Sequence, residues 1–459
     1  MTAAIVQPKI EEALHARRFG EVRDLLAEGE PPLIADLIQE LEPSDRALMF
    51  RVLRRPVAAD VFEYLPPEYQ EELLKALGTE DVAAILNEMA PDDRTALLEE
   101  LPASATRHLL NMLTPAEREI AKTLLGYPED SIGRLMTPDY VAVRSYWTIE
   151  KALDHIRRFG EDSETLNIIY VVGDKGKLID DIRIRQVLLA SPETEISELC
   201  DGVCVALRAR DDQETAVQVF REYDRVALPV TDSDGVLLGI VTHDDVLDVA
   251  EEEATEDIQK IGGTEALDDP YLEVPLGELI RKRGVWLVIL FLGQMLTANV
   301  MGWFHAEIAG AIFLVLFLPL IISTGGNSGS QAATLVVRAM ALGEVSLGQW
   351  WRVMRREIFS GLALGSVLGL MGFLRVAAGA WISDDYPSEW PLIAITVGIS
   401  LVGVVVWGTL VGSMLPFVMR AFGADPATSS TPFVTTVVDV SGVVIYLTLA
   451  MFVLRGVLT

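Results

Sequence analysis

Asp439 is the one acidic residue well inside any long apolar segment of this chain. A carboxylate at that depth costs about 2.5 to 3.5 kcal/mol on insertion scales, so by default it marks an ion path; the alternative is an Asp hydrogen-bonded within a helix bundle. Thr435 lies one helical turn before it on the same face. A second polar stretch, Ser323-Thr324-Gly325-Gly326-Asn327-Ser328-Gly329-Ser330-Gln331, ends an earlier apolar segment. With three glycines and no bulky apolar residue it is expected to leave the helix, because irregular backbone at membrane depth is tolerated only where it lines a cavity or is buried in protein. Carboxylate, hydroxyl and carbonyl oxygens suit Mg²⁺ or Ca²⁺ better than metals that prefer thiolates. One Asp per chain cannot strip a firmly hydrated ion. Two brought together by a two-fold dimer could hold a hydrated cation through its waters, which predicts a pore on the dimer axis.

A second concentration of charge precedes the apolar part. Asp244, Asp245, Asp248, Glu251, Glu252, Glu253, Glu256 and Asp257 crowd into 14 residues with no Lys or Arg before Lys260. On a helix such charges meet at i, i+3 and i+4 and repel unless cations intervene. The run reads as a cation sensor or as a solvated acidic helix. Cys200 and Cys204 have no His or further Cys around them and read as two buried thiols rather than a metal site. The five histidines form no His-Glu-x-x-His pattern, and neither a Gly-x-x-x-x-Gly-Lys phosphate loop nor a Gly-x-Ser-x-Gly nucleophile occurs. Neither an ATP-driven pump nor an enzyme is supported.

The elements that must position these groups follow from length and patterning. The chain has 459 residues and a formal net charge of −30, which argues against nucleic acid as a partner. The net acidity lies in the first 280 residues, and the remainder contains apolar runs near the roughly 20 residues that cross a bilayer. Five spans are expected at about 284–303, 308–324, 358–381, 391–415 and 433–454. Arg281, Lys282 and Arg283 precede the first, Arg338, Arg352, Arg355 and Arg356 separate the second from the third, and Arg420 follows the fourth. The positive-inside rule makes these sides cytoplasmic. The loop 383–389 has no Lys or Arg and suits the outside. The N-terminus, which has no signal-peptide pattern, is then cytosolic and the C-terminus external. Gly361, Gly365 and Gly369 form a small-residue stripe expected to let another helix approach closely.

Two repeats organise the acidic part. Pro43, Pro67, Pro91 and Pro115 recur with a period of 24, each followed by an apolar pattern, so each unit reads as short helices in a right-angled or superhelical all-α domain. A second repeat, with a period of about 59, relates Ile168-Ile169-Tyr170-Val171-Val172-Gly173-Asp174 to Val226-Ala227-Leu228-Pro229-Val230-Thr231-Asp232. Each copy reads as helix, strand, turn, strand, helix. With Met136-Thr137-Pro138 opening the first copy and Gly239-Ile240-Val241-Thr242-His243-Asp244-Asp245 closing the second, the pair resembles tandem cystathionine-β-synthase (CBS) domains, regulatory modules that often bind adenine nucleotides. Thr242 and Asp245 have the spacing associated with ribose and phosphate contacts, so ATP is a candidate ligand. Their counterparts in the first copy are Arg183 and Gln186, and Thr242 could equally cap the following helix.

Over essentially its whole length the chain resembles the MgtE family of bacterial magnesium transporters. The resemblance rests on the domain order, on Gly-Gly-Asn-x-Gly-x-Gln at 325–331, and on Asp425-Pro426 followed by Asp439-Val440-x-Gly442. It implies a multidomain protein: a helical N domain at 1–134, CBS domains at about 135–195 and 200–250, an acidic linker or plug helix at 251–280 and a five-helix transmembrane domain at 281–459. It further implies a homodimer in the inner cell membrane, selective for Mg²⁺. The central ion would be held through water by Asp439, helped by Asn327 and backbone oxygens near Thr431 and Thr435. Cytosolic Mg²⁺ would close the pore through Asp212, Glu214, Asp224, Asp245, Asp248, Glu253, Glu256 and Asp257. Gln294 and His305 depart from the acidic residues common in the first span of related proteins. An ion-coupled carrier of Mn²⁺ or Co²⁺, and a membrane-anchored regulator whose CBS pair reads a nucleotide, are the competing functions.

Overall fold

The computed structural model describes residues 3–26, 29–161, 163–267, 271–272, 274–305, 312–383 and 386–454. They fall into two compact units, Met1–Ala250 and Glu251–Thr459.

The first unit opens with a helical array: α1 (Ala3–His15), α2 (Phe19–Leu26), α3 (Pro31–Gln39), α4 (Pro43–Val52), α5 (Arg55–Glu63), α6 (Pro67–Ala76), α7 (Thr79–Glu88), α8 (Pro91–Glu100), α9 (Ala103–Leu110) and α10 (Pro115–Leu124). Two helices fill each 24-residue period. The four phased prolines each begin a helix, where a missing N–H costs nothing. Ile34, Ile38, Met49, Phe62, Leu73, Leu86 and Leu98 form a continuous core between the helices.

Three residues after each proline a long donor reaches back to carbonyls at or just after the end of an earlier helix. Arg46 Nε donates to Leu41 O at 2.8 Å, Gln70 Nε2 to Phe62 O at 2.9 Å, Arg94 Nη1 to Leu86 O at 3.0 Å and Arg118 Nε to Leu110 O at 2.8 Å. These are carbonyls that a helix end leaves without an internal partner. Arg94 is fully buried, and its charge is met by Glu117 at 2.5 Å; Arg46 meets Glu72 at 2.6 Å in the same way.

A short helix, α11 (Ile132–Leu135), leads into the CBS pair. In the first copy β1 (Ala142–Arg144), α12 (Ile149–Phe159), β2 (Ile168–Val172), β3 (Leu178–Arg183) and α13 (Ile184–Leu189) make a sheet ordered β1-β2-β3. The second copy repeats it with β4 (Leu207–Arg208), α14 (Gln213–Tyr223), β5 (Ala227–Thr231), β6 (Leu237–Thr242) and α15 (His243–Ile261). The first pair of strands in each sheet is parallel and the second antiparallel. The hairpins turn through Gly176 and Gly235, both at positive φ, where glycine has no Cβ to clash. The copies are stitched together, since Thr137 and Ile240 exchange backbone hydrogen bonds at 2.8 and 2.9 Å. Ile168, Tyr170 and Val172 pack against Leu237 and Ile240 between the sheets.

Among its described residues the second unit holds the end of α15 and five helices long and apolar enough to cross a membrane. They are α16 (Leu276–Trp303), α17 (Leu318–Ala341), α18 (Trp350–Ile382), α19 (Trp390–Ala421) and α20 (Thr431–Val453). Residues 306–311, where the second span was expected to start, and Asp384 and Asp385 of the 383–389 loop lie outside the described residues, as do 268–270 and 273 of the linker and 455–459 at the C-terminus.

One expectation is corrected: residues 323–331 do not leave the helix but run inside α17. Their glycines serve close approach. A Cβ on Gly412 of α19 would lie 2.0 Å from Gly329 O, and one on Gly408 2.5 Å from Gly325 O. The α-helix keeps its own hydrogen bonds, which lipid could not replace, and that outweighs a propensity cost of about 1 kcal/mol per glycine. The stripe at Gly361, Gly365 and Gly369 packs closely against α19 as expected: a Cβ on Gly369 would stand 2.6 Å from Gly398 O.

The Arg94→Ala variant leaves Glu117 and two helix-end carbonyls facing a cavity. A destabilisation of about 3 to 5 kcal/mol is expected for the first unit, as for other broken buried ion pairs, measured by urea unfolding of the whole protein followed by hydrogen exchange in residues 80–125.

Candidate functional site

The polar site of the second unit lies along α20. Ser430 caps this helix by accepting from Phe433 N at 3.3 Å, and Trp286 Nε1 of α16 donates to the same Ser430 oxygen at 3.1 Å. Thr431, Thr435 and Asp439 then recur every fourth residue along one face. Thr435 Oγ1 donates to Thr431 O at 2.9 Å and meets Ser330 Oγ of α17 at 3.0 Å.

Gly326 of α17 sits against this face, its absent Cβ 2.9 Å from Thr435 Cγ2 and 3.5 Å from Asp439 Oδ1. That oxygen is buried with no hydrogen-bond partner among the described residues. Asp439 Oδ2 accepts from Gln294 Nε2 of α16 at 3.4 Å. Asn327 is exposed, one residue beyond Gly326. The sequence reading names Asp439 and Thr435, adds Thr431 through the resemblance, and treats Gln294 only as a departure in the first span. The structure puts Gln294 on the carboxylate itself, and spacing alone could not have shown it.

The first unit gathers carboxylates that the sequence did not single out. Asp92 and Asp93 open α8, Glu63 closes α5, and Glu164 lies between α12 and β2; they share a region with Asp244, Asp245 and Asp248 at the start of α15. Burial, then the charges of Asp245, Asp93 and Glu164, hold the Asp92 carboxyl well above the ordinary carboxylate range. Burial, then Asp245, Glu164, Asp244 and Asp248, raise Asp93 to about 7. Burial also raises Asp245 to about 7, with Thr242 hydrogen bonds working against it, and Glu63 to about 7, helped by Asp93 and opposed by the Ala90 N–H. No Lys or Arg forms an ion pair with Asp92, Asp93, Glu63, Glu164 or Asp245 among the described residues. No group of three acidic, imidazole or thiol side chains there closes to metal-ligating distance either. The region is a set of like charges sharing one place, not a built cage.

The other expected sensor residues are spread more widely. Asp212 caps α14 by accepting from Glu214 N at 2.9 Å, and Asp224 ends the same helix in a left-handed conformation. All three are exposed. Asp248 is exposed on α15, and Glu253, Glu256 and Asp257 are half-buried further along it. In the second unit Glu256 meets Lys260 Nζ at 2.5 Å, and the same ammonium meets Asp425 at 2.8 Å. Burial lowers the Lys260 pKa, yet the hydrogen bonds its ammonium donates to Asp425 and Glu256 outweigh it and raise the value overall.

Thr242 donates to Asp245 Oδ2 at 2.6 Å and stands 2.5 Å from Asp244 Oδ1, so its hydroxyl is engaged at the start of α15. Their first-copy counterparts, Arg183 and Gln186, instead line a cavity of about 320 Å³ together with Asp181, Arg185, Asp201 and Arg225. Cys200 and Cys204 are free and half-buried rather than fully buried. Burial, then Asp180, pushes the Cys200 thiol up to about 11, and burial, then Asp181, raises Cys204 further, so both stay protonated at neutral pH.

Comparison with known proteins agrees with this organisation. The MgtE family profile, described as a divalent cation transporter, matches residues 318–449; the MgtE intracellular N domain matches 30–130; CBS domains match 132–193 and 196–252. The magnesium transporter MgtE of Thermus thermophilus is 42% identical over 340 residues, 74% of each chain. That of Enterococcus faecalis is 32% identical over 73% of this chain and 71% of its own. A crystal structure of the cytosolic domain of the Mg²⁺ channel MgtE in complex with ATP is 38% identical, with a TM-score of 0.51 over 53% of this chain and 99% of that one. The soluble part of a magnesium transporter gives a TM-score of 0.52 at 28% identity over 55% and 100%.

The carboxylates raised to about 7 carry a pH signature. Such groups favour the fold when protonated, so their contribution is complete below the unfolded value of about 4 and is lost as pH rises through about 7. With EDTA, the thermal midpoint of the first unit should fall between pH 5 and 8, and Asp93→Asn with Asp245→Asn should flatten that fall. Millimolar Mg²⁺ should restore the midpoint at pH 8 in the native sequence alone. A flat native profile in EDTA would contradict the electrostatic reading.

Proposed function

The chain belongs to the MgtE family of divalent cation transporters, and from that premise we propose that it is a homodimeric, channel-like pathway that passes Mg²⁺ down its gradient across the cytoplasmic membrane and is closed by cytosolic Mg²⁺. The observation that carries the pore reading is the unpartnered Asp439 Oδ1, buried against Gly326 on the face shared with Thr431 and Thr435. Mg²⁺ keeps an octahedral water shell at about 2.0 to 2.1 Å and sheds it reluctantly. A two-fold axis would set two such carboxylates around one hydrated ion, with threonine and backbone oxygens and Asn327 accepting from or donating to its waters. Gln294 fixes the other carboxylate oxygen and leaves Oδ1 for the ion.

The gate reading rests on the carboxylates of Asp92, Asp93, Glu63, Glu164 and Asp245. Without cations their repulsion favours separation of the elements that carry them. Mg²⁺ held between them, and by Asp212, Glu214, Asp224, Asp248, Glu253, Glu256 and Asp257, would draw these elements together and stabilise the closed state. The N-terminal unit is cytosolic in this reading and the C-terminus external. The cavity beside Arg183, Arg185 and Arg225 offers the guanidinium groups of Arg183 and Arg185 to phosphates, while Arg225 is held by Asp181 at 2.9 Å, and this pair of cations favours ATP there as a regulatory ligand over contacts at Thr242 and Asp245.

Reconstituted into liposomes, the protein should take up Mg²⁺ at a rate set by membrane potential and indifferent to an imposed pH or Na⁺ gradient. Strict dependence on such a gradient would favour an ion-coupled carrier. Asp439→Ala should reduce uptake to the level of empty liposomes while the dimer persists, and Asp439→Asn nearly as far. Gln294→Leu, which frees the second carboxylate oxygen, should lower uptake severalfold and weaken discrimination against Ca²⁺, whereas Gln294→Asn should fall between it and the native protein. Native uptake by Asp439→Ala would show that the ion takes another route.

A further inference from the structure

Two sides of α18 have opposite characters. Gly361, Gly365, Gly369 and Gly372 are buried against α19. At about 100° per residue, Phe359, Val367, Leu370 and Leu374 fall on the opposite side, and each is more than half exposed. On a helix long and apolar enough to cross a membrane, that side is a stripe open to lipid.

Arg352, Arg355 and Arg356 continue the same stripe one turn before Phe359. They are spaced i, i+3 and i+4, so they share its azimuth within about 120° of arc. All three are exposed, and none forms an ion pair among the described residues. Arg281, Lys282 and Lys260 of the same unit each meet a carboxylate within 3.7 Å. The nearest acid in sequence, Glu357, is half-buried about 100° around the helix from Arg356, close enough to feel its charge but not to form an ion pair with it. Trp350 and Trp351, exposed and 5.7 Å apart, begin the helix at this level, as aromatic side chains do at a membrane interface.

We propose that Arg352, Arg355 and Arg356 form a binding site for the phosphate of an anionic phospholipid headgroup, whose acyl chains lie along Phe359, Val367, Leu370 and Leu374. The guanidinium fork matches phosphate oxygens two at a time, and three of them just below an apolar stripe stand where a headgroup sits. A zwitterionic headgroup brings its own ammonium and gains less.

The test is native mass spectrometry of the full-length protein in nanodiscs of equal phosphatidylglycerol and phosphatidylcholine. The native protein should retain phosphatidylglycerol in preference by about tenfold or more. Arg352→Gln, Arg355→Gln and Arg356→Gln together should bring retention to parity. The same three positions changed to Lys keep the positive charge that sets orientation, and should keep part of the preference. Should the triple Gln variant fail to insert, the single Arg355→Gln and the double Arg355→Gln, Arg356→Gln variants read the same loss in steps. Equal retention of both lipids by the native protein overturns the proposal. So does a Gln series that keeps the native preference while changing the fraction of dimer, since that outcome makes the face a contact with a second copy.

Discussion

The transmembrane unit depends on backbone meeting backbone between α17 and α19. Gly325 and Gly329 on one helix face Gly408 and Gly412 on the other, at distances that no Cβ would permit. In lipid there is no hydrophobic force to bring helices together, so packing of this closeness must supply the attraction. The same contact fixes the depth and rotation of α17. With α17 so placed, Gly326 lies against Thr435 and Asp439, and Ser330 meets the Thr435 hydroxyl. The polar face of α20 is therefore built from the glycines of its neighbour as much as from its own side chains.

The first unit handles charge in two opposed ways. Arg94 and Arg46 are taken out of water with carboxylates and helix-end carbonyls around them, so the charge of each is met locally even though Arg94 Nε itself finds no partner among the described residues. Asp92, two residues from Arg94 on the same helix, has a buried oxygen with no partner among the described residues and like charges beyond it. The compensated pairs hold the array of helices together. The uncompensated acids gather like charge in one part of it, where burial and mutual repulsion both oppose ionisation.

Much of this was legible in the sequence. The 24-residue phase of Pro43, Pro67, Pro91 and Pro115 marks helix starts because the first helical turn is where proline fits without losing a hydrogen bond. The doubled strand-turn-strand pattern around Asp174 and Asp232 marks the two CBS copies, and Asp439 is conspicuous by its cost. Three features were not legible. The glycines of 323–331 look the same whether they break a helix or let one approach, and the answer lies in Gly408 and Gly412 on another helix. Asp92, Asp93, Glu63 and Glu164 occupy ordinary positions at helix ends and in a loop, and only the fold assembles them. Strands β1 and β4 span three and two residues, too few to show any alternation.

The donors at 46, 70, 94 and 118 give the helical array a further property. Each closes the end of the period before it, so every period is incomplete without its successor. The last is finished from outside the repeat by Arg134, which donates to Tyr127 O at 3.0 Å and pairs with Glu99 at 2.5 Å. The array can therefore lengthen or shorten only in whole periods. Loss of 24 residues joins one donor to an equivalent set of carbonyls, whereas loss of 12 strands a guanidinium in the core. Its length is therefore quantised, because only a change by an entire copy keeps each donor on a helix end.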